Sequence, residues 1–427
     1  MAQSCSNLTT KCACEKLKIS NVLRILYNRL MGPTLKRVSS LNAFLAFIVS
    51  WTAVFYTIRG LSDFSKMSPA HTTDFLAQMT GASIVREGDI KNLYNYQVQF
   101  EYQQRLMGNK NIPNALTFRT PPTTAYILSL LPVENYVLAF WLAVGVNLLC
   151  VMVSIWLLTE RSFNKTFVIG TIAAFLVPLL MTLIGGQPLG PILIFLTLAF
   201  INIKNNRPFM AGVWIALLFI KPNFLLATFL ILPLLNDKKQ LKKYLMGFAA
   251  ALSLLIGLNM LLYGKGFLPD YIKFISSTEE EHSGTSIANN TNISGVIYTI
   301  SSWLNKPYNN FIALAFTLIT NVLTFLMIWN MRNKMSLEKR FALICLILPV
   351  LNLHTMYSDL LPHLISLTLL LPLFFDEKRW LAAIWLLLLT AELPYYSVAN
   401  LEWVITLAII VSTWWLTRTL ISEDRNG

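Results

Sequence analysis

The sequence predicts an all-α protein with about twelve membrane-spanning helices. Of its 427 residues, 55% are hydrophobic and only 13% are charged, whereas about 25% of the residues in an ordinary soluble domain are charged. The mean hydropathy is +0.56. The apolar residues form continuous runs, as helices that face lipid require. This composition excludes a soluble enzyme, a disordered chain and a small secreted domain held by disulfides.

The membrane spans can be read from the apolar runs, because a spanning helix needs about 20 predominantly apolar residues. Twelve runs approach this length, near 41–59, 136–158, 166–185, 189–203, 207–220, 223–236, 243–263, 309–330, 339–353, 358–375, 379–396 and 401–421. Three of them (189–203, 207–220 and 223–236) are short, so tilted or broken helices are expected there. The chain then divides into a basic tail (1–40), one transmembrane domain (41–421) and a short C-terminal tail (422–427).

The distribution of basic residues orients these spans. With the N-terminus in the cytoplasm, the inner segments carry 23 of the 34 Lys and Arg residues but only 8 of the 21 Asp and Glu residues. This agrees with the positive-inside rule. Residues 207–236 could instead form one span interrupted at Lys221-Pro222, but the basic segment 237–243 would then face outward. We therefore predict two short spans and place both termini in the cytoplasm.

Two outer loops are long, the first at about 60–135 and the fourth at about 264–308, whereas the cytoplasmic loops are short. Binding and catalytic residues concentrate on loops that a rigid scaffold positions. The active face should therefore be the extracytoplasmic one. We find no convincing internal repeat, which argues against a transporter built from repeated halves.

Four polar side chains stand out in the first part of the chain. Asp74 lies near a predicted helix start, and His71 precedes it by three residues, about one helical turn. Gln187 lies in a Gly-Gly-Gln-Pro turn, and Lys221 lies between two apolar runs, where a lysine is costly unless it reaches water or an anion. Ordinary structural roles also fit, namely a capping aspartate, a tight turn and a lysine that extends to the interface.

The later part of the chain adds further candidates. Asn290 and Asn292 precede an apolar run, where they could simply start a helix. His354 and Tyr357 lie between two predicted spans, with Asp359 beside them. A lone histidine in such a place is more often interfacial than catalytic.

Six of these side chains lie at the same outer surface in the predicted topology, although the spans were counted without reference to them. They are Asp74, Gln187, Lys221, Asn290, His354 and Tyr357. We therefore predict one polar cavity at the outer membrane boundary.

In these residues the chain resembles the polyprenyl-phosphate-dependent GT-C glycosyltransferases, and among them glycosyltransferase family 87. The resemblance runs from about Asp74 to beyond His354. The motifs that carry it are Asp74-Phe75 with Ala82, Gly88 and Leu93-Tyr94; Pro121-Pro122 and Trp141; Gly186-Gln187; Ala211-Gly212 and Lys221-Pro222; Asn290–Gly295; and His354. Each motif is short, but they occur in the order typical of the family. The resemblance implies a GT-C-like fold.

The resemblance also implies a function. The chain would be a multi-pass glycosyltransferase of a bacterial cytoplasmic membrane. It would move a hexose such as mannose, or a pentose, from a polyprenyl phosphate to a glycolipid or glycan acceptor of the cell envelope. Transfer would occur on the extracytoplasmic side and invert the anomeric configuration. No nucleic acid partner and no cofactor are expected.

Roles for the candidate residues follow from that reaction. Asp74 would be the general base, and His354 would lie beside it in the active site. Lys221 and Arg119 would bind the donor phosphate. The residues expected to bind the sugar or the acceptor are Gln187, Asn290, Asn292, Tyr357 and His71.

Metal ligands are sparse in the sequence. The five cysteines lack the spacing of a tetrahedral metal site. The run Glu279–His282 is the one place where acids and a histidine cluster on a loop, and it is expected to be solvated. We expect no bound metal.

Two other classes compete with the glycosyltransferase. A transporter or flippase of lipid-linked sugars would concentrate polar groups near the bilayer midplane, whereas the candidates here lie at the outer boundary, as do the exceptional Glu392 and Glu402. A polysaccharide polymerase would be expected to carry several arginines in its outer loops, and the fourth outer loop has none.

Overall fold

The computed structural model describes residues 73–108, 115–174, 176–280, 290–352, 354–376 and 406–416, all within the unit Tyr56–Gly427. The predicted spans at 41–59 and 379–396 lie outside these residues. So do His71, His282, Glu392 and Glu402, and parts of the last predicted span.

The described residues form helices joined by short connections, and no β-strand occurs among them. The α-helices are α1 (Thr73–Arg86), α2 (Tyr96–Leu106), α3 (Pro122–Leu128), α4 (Tyr136–Leu158), α5 (Phe163–Ala173), α6 (Val177–Gly185), α7 (Leu189–Lys204), α8 (Pro208–Ala216), α9 (Ala227–Ile231), α10 (Lys238–Tyr263), α11 (Phe267–Glu280), α12 (Ile293–Trp303), α13 (Asn310–Asn330), α14 (Leu337–Leu351), α15 (His363–Asp376) and α16 (Thr406–Leu416). Short 3₁₀ helices occur at Ile90–Asn92, Leu217–Ile220, Pro222–Leu226, Leu232–Leu234 and Tyr357–Leu360.

The all-helical prediction is confirmed over the described residues. Three helices (α4, α10 and α13) are long and apolar enough to cross a membrane, and the bent pair of α5 and α6 could form a fourth crossing. Shorter apolar helices cover 189–204, 208–220, 222–234, 358–371 and 406–416. The count of twelve spans and their sidedness stay predictions.

Prolines interrupt the helices at three places in the predicted membrane domain. The run predicted as 166–185 consists of α5 and α6, which meet at 73°, and Pro178 stands in the first turn of α6. Pro222 favours the extended conformation of Lys221 (φ −138°, ψ 87°) between two 3₁₀ segments, because the α region is disfavoured for a residue before proline. Pro233 lies in the 3₁₀ segment Leu232–Leu234, and the chain becomes extended after it, at Leu235 (φ −82°, ψ 133°). Of the three short runs, 207–220 and 223–236 are therefore divided into α-helical and 3₁₀ segments, whereas 189–203 is the single helix α7.

The Ala-Gly motif of the sequence serves helix packing. A Cβ atom added at Gly212 in α8 would lie 2.1 Å from the Tyr244 carbonyl oxygen, and one added at Gly247 in α10 would lie 2.0 Å from the Phe209 carbonyl oxygen. Backbone thus meets backbone where α8 crosses α10. Small residues allow this close approach of membrane helices.

We expect Gly212→Ala to lower the stability of the protein by about 1–3 kcal/mol, because the added methyl group collides with backbone that cannot move aside. Gly257→Ala is the matched control, since it lies in α10 with nothing within 4 Å of the added atom, and better helix propensity should make it neutral or stabilising. Unfolding of the purified variants in mixed micelles measures both. Equal stability of the two variants would contradict this packing.

The two predicted outer loops pack together through aromatic side chains. Tyr94 from the first loop contacts Tyr271 and Phe274 of α11, with ring centroids 5.2 and 5.5 Å apart. The Tyr271 hydroxyl donates a hydrogen bond to the Arg119 carbonyl oxygen at 3.0 Å. Meanwhile α1 packs against α2 and α3. The loops therefore form one structured layer, which fixes the backbone at Arg119.

Candidate functional site

The turn after α6 brings Gln187 to Asp74. Asp74 lies in the first turn of α1, as the sequence predicted. Gly186 ends α6 with a φ of +59°, a left-handed conformation that glycine adopts without strain. Added Cβ atoms would lie 2.6 Å from the Phe75 ring at Gly186 and 3.1 Å from the Asp74 Oδ2 atom at Gly185. Two glycines thus let the turn lie directly against α1, and Gln187 Nε2 donates to Asp74 Oδ2 at 2.8 Å.

Lys221 extends this contact into a chain of four side chains. Its Nζ donates to Gln187 Oε1 at 2.5 Å and forms an ion pair with Asp359 Oδ1. The Asp359 carboxylate is fully buried, and its other oxygen accepts a hydrogen bond from the Met356 backbone N–H at 3.1 Å. We call Asp74, Gln187, Lys221 and Asp359 the charged chain. It links α1, the turn after α6, the break before Pro222 and the 3₁₀ helix at Tyr357–Leu360.

The charged chain controls the acidity of Asp74, which lies in the predicted outer loop. Burial raises the pKa of the Asp74 carboxyl above its usual range, and the nearby charge of Asp359 raises it further. The hydrogen bond from Gln187 and the positive charge of Lys221 lower the pKa. Burial has the largest effect, so Asp74 is a stronger base than an exposed aspartate.

One cavity of about 810 Å³ contains most of the predicted site residues. Those that line it are Asp74, Arg119, Gln187, Lys221, Asn290 and His354. Arg119 Nε donates to Thr117 Oγ1 at 2.8 Å, and the His354 carbonyl oxygen accepts a hydrogen bond from Asn223 Nδ2 at 3.1 Å. Residues that are up to 280 positions apart in sequence therefore line one cavity, as the sequence predicts.

Of the three remaining predicted residues, one is placed outside the cavity lining and two have side chains that the structure does not describe. Asn292 is not among the residues that line the cavity; its side chain caps α12 by accepting from the Gly295 N–H at 3.0 Å. Tyr357 begins a 3₁₀ helix, but its side chain lies outside the described part of the structure, as does His71. The roles predicted for all three stay predictions.

Several cavity residues received no role in the sequence analysis. Asp359 was noted only as a neighbour of Tyr357, although it is the partner of Lys221. Asp359 lies near the break between two apolar runs, at the same predicted membrane boundary as Lys221. That position is the sequence signal that could have identified Asp359. The lining also includes Gln78, Thr120, Thr317, Asn321 and Asn352, polar residues inside helical or loop segments that carry no distinctive motif.

Within the described ranges, no three His, Cys, Asp or Glu side chains are grouped so that they could hold a metal ion. The run Glu279–His282 lies largely outside these ranges. The expectation of a metal-free reaction stays a prediction.

Comparison with known protein families shows that one family matches the segment that contributes most of the cavity. The sequence model of glycosyltransferase family 87 matches residues 118–355, which is more than half of the chain. The matched region includes Arg119, Gln187, Lys221 and His354, whereas Asp74 precedes it. No curated protein and no solved structure matches the chain.

Proposed function

Because the chain belongs to glycosyltransferase family 87, we propose that it transfers a sugar from a polyprenyl phosphate to a glycolipid or glycan acceptor. The reaction would take place on the extracytoplasmic side of the membrane. Mannose or another hexose is the sugar that the family resemblance favours. Membership of the family supports glycosyl transfer, whereas the donor and the mechanism are part of the proposal.

The observation that carries the proposal is that charged side chains and apolar side chains line the same cavity. Beside the charged chain, the cavity is lined by Leu226 and Phe229 before α10 and by Leu314 and Leu318 of α13. Phe229 and Leu318 are 62% and 56% exposed. Such side chains suit an isoprenoid tail in the bilayer, while the phosphate and the sugar occupy the polar part.

The chemistry requires a base and a cationic environment. The Asp74 carboxylate would take the proton of the acceptor hydroxyl as its oxygen attacks the anomeric carbon. The bond between that carbon and the phosphate oxygen breaks, and polyprenyl phosphate leaves with the electron pair. Attack opposite the leaving group inverts the configuration.

Lys221 and Arg119 would bind the donor phosphate. Lys221 already pairs with Asp359, so its charge is partly balanced before the donor arrives. Arg119 lines the same cavity and supplies a second positive charge. Cations in a partly dry cavity stabilise a leaving phosphate more strongly than they would in water. His354 could orient the acceptor or the base from the same wall.

The pH profile tests the role of Asp74 in this reaction. A general base acts as the carboxylate, so kcat/KM should fall as the pH drops through the Asp74 pKa. Because that pKa is raised, the acidic limb should lie above the range of an exposed aspartate. Asp359→Asn removes a charge that raises the pKa and should move the limb to lower pH, whereas Gln187→Leu removes a stabilising hydrogen bond and should move it to higher pH. If neither variant shifts the acidic limb of the pH profile, the assignment of Asp74 as the general base is contradicted.

The donor class can be tested directly. Purified protein in detergent is offered a panel of polyprenyl-phosphate hexoses and pentoses, with nucleotide sugars as the comparison, and a membrane lipid extract as the source of acceptor. We expect at least one of the polyprenyl-phosphate sugars to release free polyprenyl phosphate. Labelled sugar should appear in the product only when it is supplied on that donor. Sugar transfer from a nucleotide sugar instead would overturn the proposed donor.

A further inference from the structure

A second polar region of the cavity carries no charge. It consists of Thr317 and Asn321 on α13 and Asn352 at the end of α14, all of which line the cavity. We call these three residues the neutral patch. Thr317 and Asn352 are each 2% exposed. The patch lies on different elements from the charged chain.

The polar atoms of the neutral patch are incompletely bonded. Among the described residues, no hydrogen-bond partner exists for Thr317 Oγ1, for Asn321 Oδ1 or for either Nδ2 or Oδ1 of Asn352. Asn290 also lines the cavity, and its Oδ1 atom likewise has no hydrogen-bond partner among the described residues. Buried polar atoms without partners are costly and call for an explanation.

Hydrogen bonds to the backbone anchor part of the patch. Asn321 Nδ2 donates to the carbonyl oxygens of Thr317 at 2.8 Å and Leu351 at 3.1 Å. The Asn352 carbonyl oxygen accepts from Asn292 Nδ2 at 3.0 Å. Asn292, the cap of α12, thus contacts the end of α14 at Asn352. Asn321 of α13 contacts the neighbouring residue Leu351. The Asn321 side chain and the backbone at Asn352 are therefore held in place before any ligand binds.

The depth of the patch also needs an explanation. Thr317 and Asn321 follow the first residue of α13 by about 10 and 16 Å along the helix axis, at about 1.5 Å per residue. Since α13 is one of the three helices long and apolar enough to cross a membrane, Thr317 and Asn321 lie inside a candidate span. Polar groups at that depth are expensive and usually mark a function.

We propose that the neutral patch binds the hydroxyl groups of a sugar ring. This inference rests on the proposed function and names a subsite for it. Three amide or hydroxyl oxygens accept hydrogen bonds and one amide nitrogen donates, which matches a neutral polyol. A phosphate would find no cation there. The sugar belongs either to the donor or to the acceptor.

The test uses two variants that keep side-chain volume, Thr317→Val and Asn352→Leu, in the full-length protein. Thr197→Val is the matched control, because Thr197 Oγ1 is also buried and unpartnered among the described residues but does not line the cavity. Removal of an unpartnered polar group should leave all three variants at least as stable as the wild type. Lower stability of Thr317→Val or Asn352→Leu would show a structural role and overturn the proposal.

The kinetic arm distinguishes the two sources of the sugar. We expect Thr317→Val and Asn352→Leu each to raise the KM of one substrate by about tenfold, since each loses a hydrogen bond to that substrate. A raised donor KM assigns the patch to the donor sugar, and a raised acceptor KM assigns it to the acceptor. Thr317→Ser, which keeps the hydroxyl, should restore the wild-type KM. Wild-type kinetics in both variants, as in Thr197→Val, would overturn the proposal.

A binding arm keeps the test independent of transfer activity. Thermal unfolding is followed with millimolar methyl mannoside, methyl glucoside, methyl arabinofuranoside or inorganic phosphate. At least one glycoside should stabilise the wild type and Thr197→Val but not Thr317→Val or Asn352→Leu, whereas phosphate should affect all four equally. Equal stabilisation of all four by the glycosides, or none, would overturn the subsite. If glycosides bind but no polyprenyl-phosphate sugar is consumed, the proposed donor fails and the subsite stands.

Discussion

Asp74→Asn should lower the rate of sugar transfer by about 10²–10⁴-fold, the range for loss of a positioned general base. The amide has nearly the size of the carboxylate but cannot take the acceptor proton. Because Gln187, Lys221 and Asp359 remain in place, donor binding and thermal stability should stay close to those of the wild type. Initial rates of polyprenyl phosphate release, with saturating donor and acceptor, measure the effect.

Asp89→Asn is the control for this prediction. Asp89 lies in the same outer segment, accepts a hydrogen bond from Asn92 at 2.7 Å and does not line the cavity. The same chemical change there should leave transfer unaffected. Near-normal transfer by Asp74→Asn would show that another group takes the proton.

Lys221→Met should destabilise the protein by about 3–5 kcal/mol, the cost of removing one partner from a buried ion pair. The Asp359 carboxylate is fully buried, so it cannot turn to water when its partner is lost. The variant should also lose donor affinity, since a cation of the proposed phosphate site is gone. Unfolding in mixed micelles and equilibrium binding of the donor measure the two effects.

A double variant separates the two roles of Lys221. Lys221→Met combined with Asp359→Leu removes both charges, and apolar replacement of a buried pair is often neutral for stability. Stability should therefore recover while donor binding stays weak. Recovery of donor affinity together with stability would show that Lys221 serves the fold alone and does not bind phosphate.

The helices were predictable where apolar runs meet capping residues. The run predicted at 136–158 is a helix with the same bounds, because Asn135 accepts a hydrogen bond from the Leu138 N–H and fixes the start. The short runs were harder, since hydropathy does not show how Pro178 and Pro222 divide a run into pieces of different direction. The predicted meeting of Asp74, Gln187 and Lys221 came from topology, and the structure joins them by hydrogen bonds.

The remaining site residues could not be found from the sequence for a physical reason. Lys221 and Asp359 are 138 positions apart, and no periodicity relates them. The neutral patch is defined by buried atoms that lack partners, which only a folded structure reveals. Conversely, Asn292 fits a sugar ligand and a helix cap equally well by sequence, and its side chain is engaged in the cap.

A single-turnover experiment tests the central claim most directly. Wild type and Asp74→Asn are loaded with the polyprenyl-phosphate sugar that the wild type consumes, and acceptor is then added. We predict equal donor loading, rapid release of polyprenyl phosphate by the wild type and almost none by Asp74→Asn. Equal release by both proteins, or no loading of the wild type by any such donor, would contradict it.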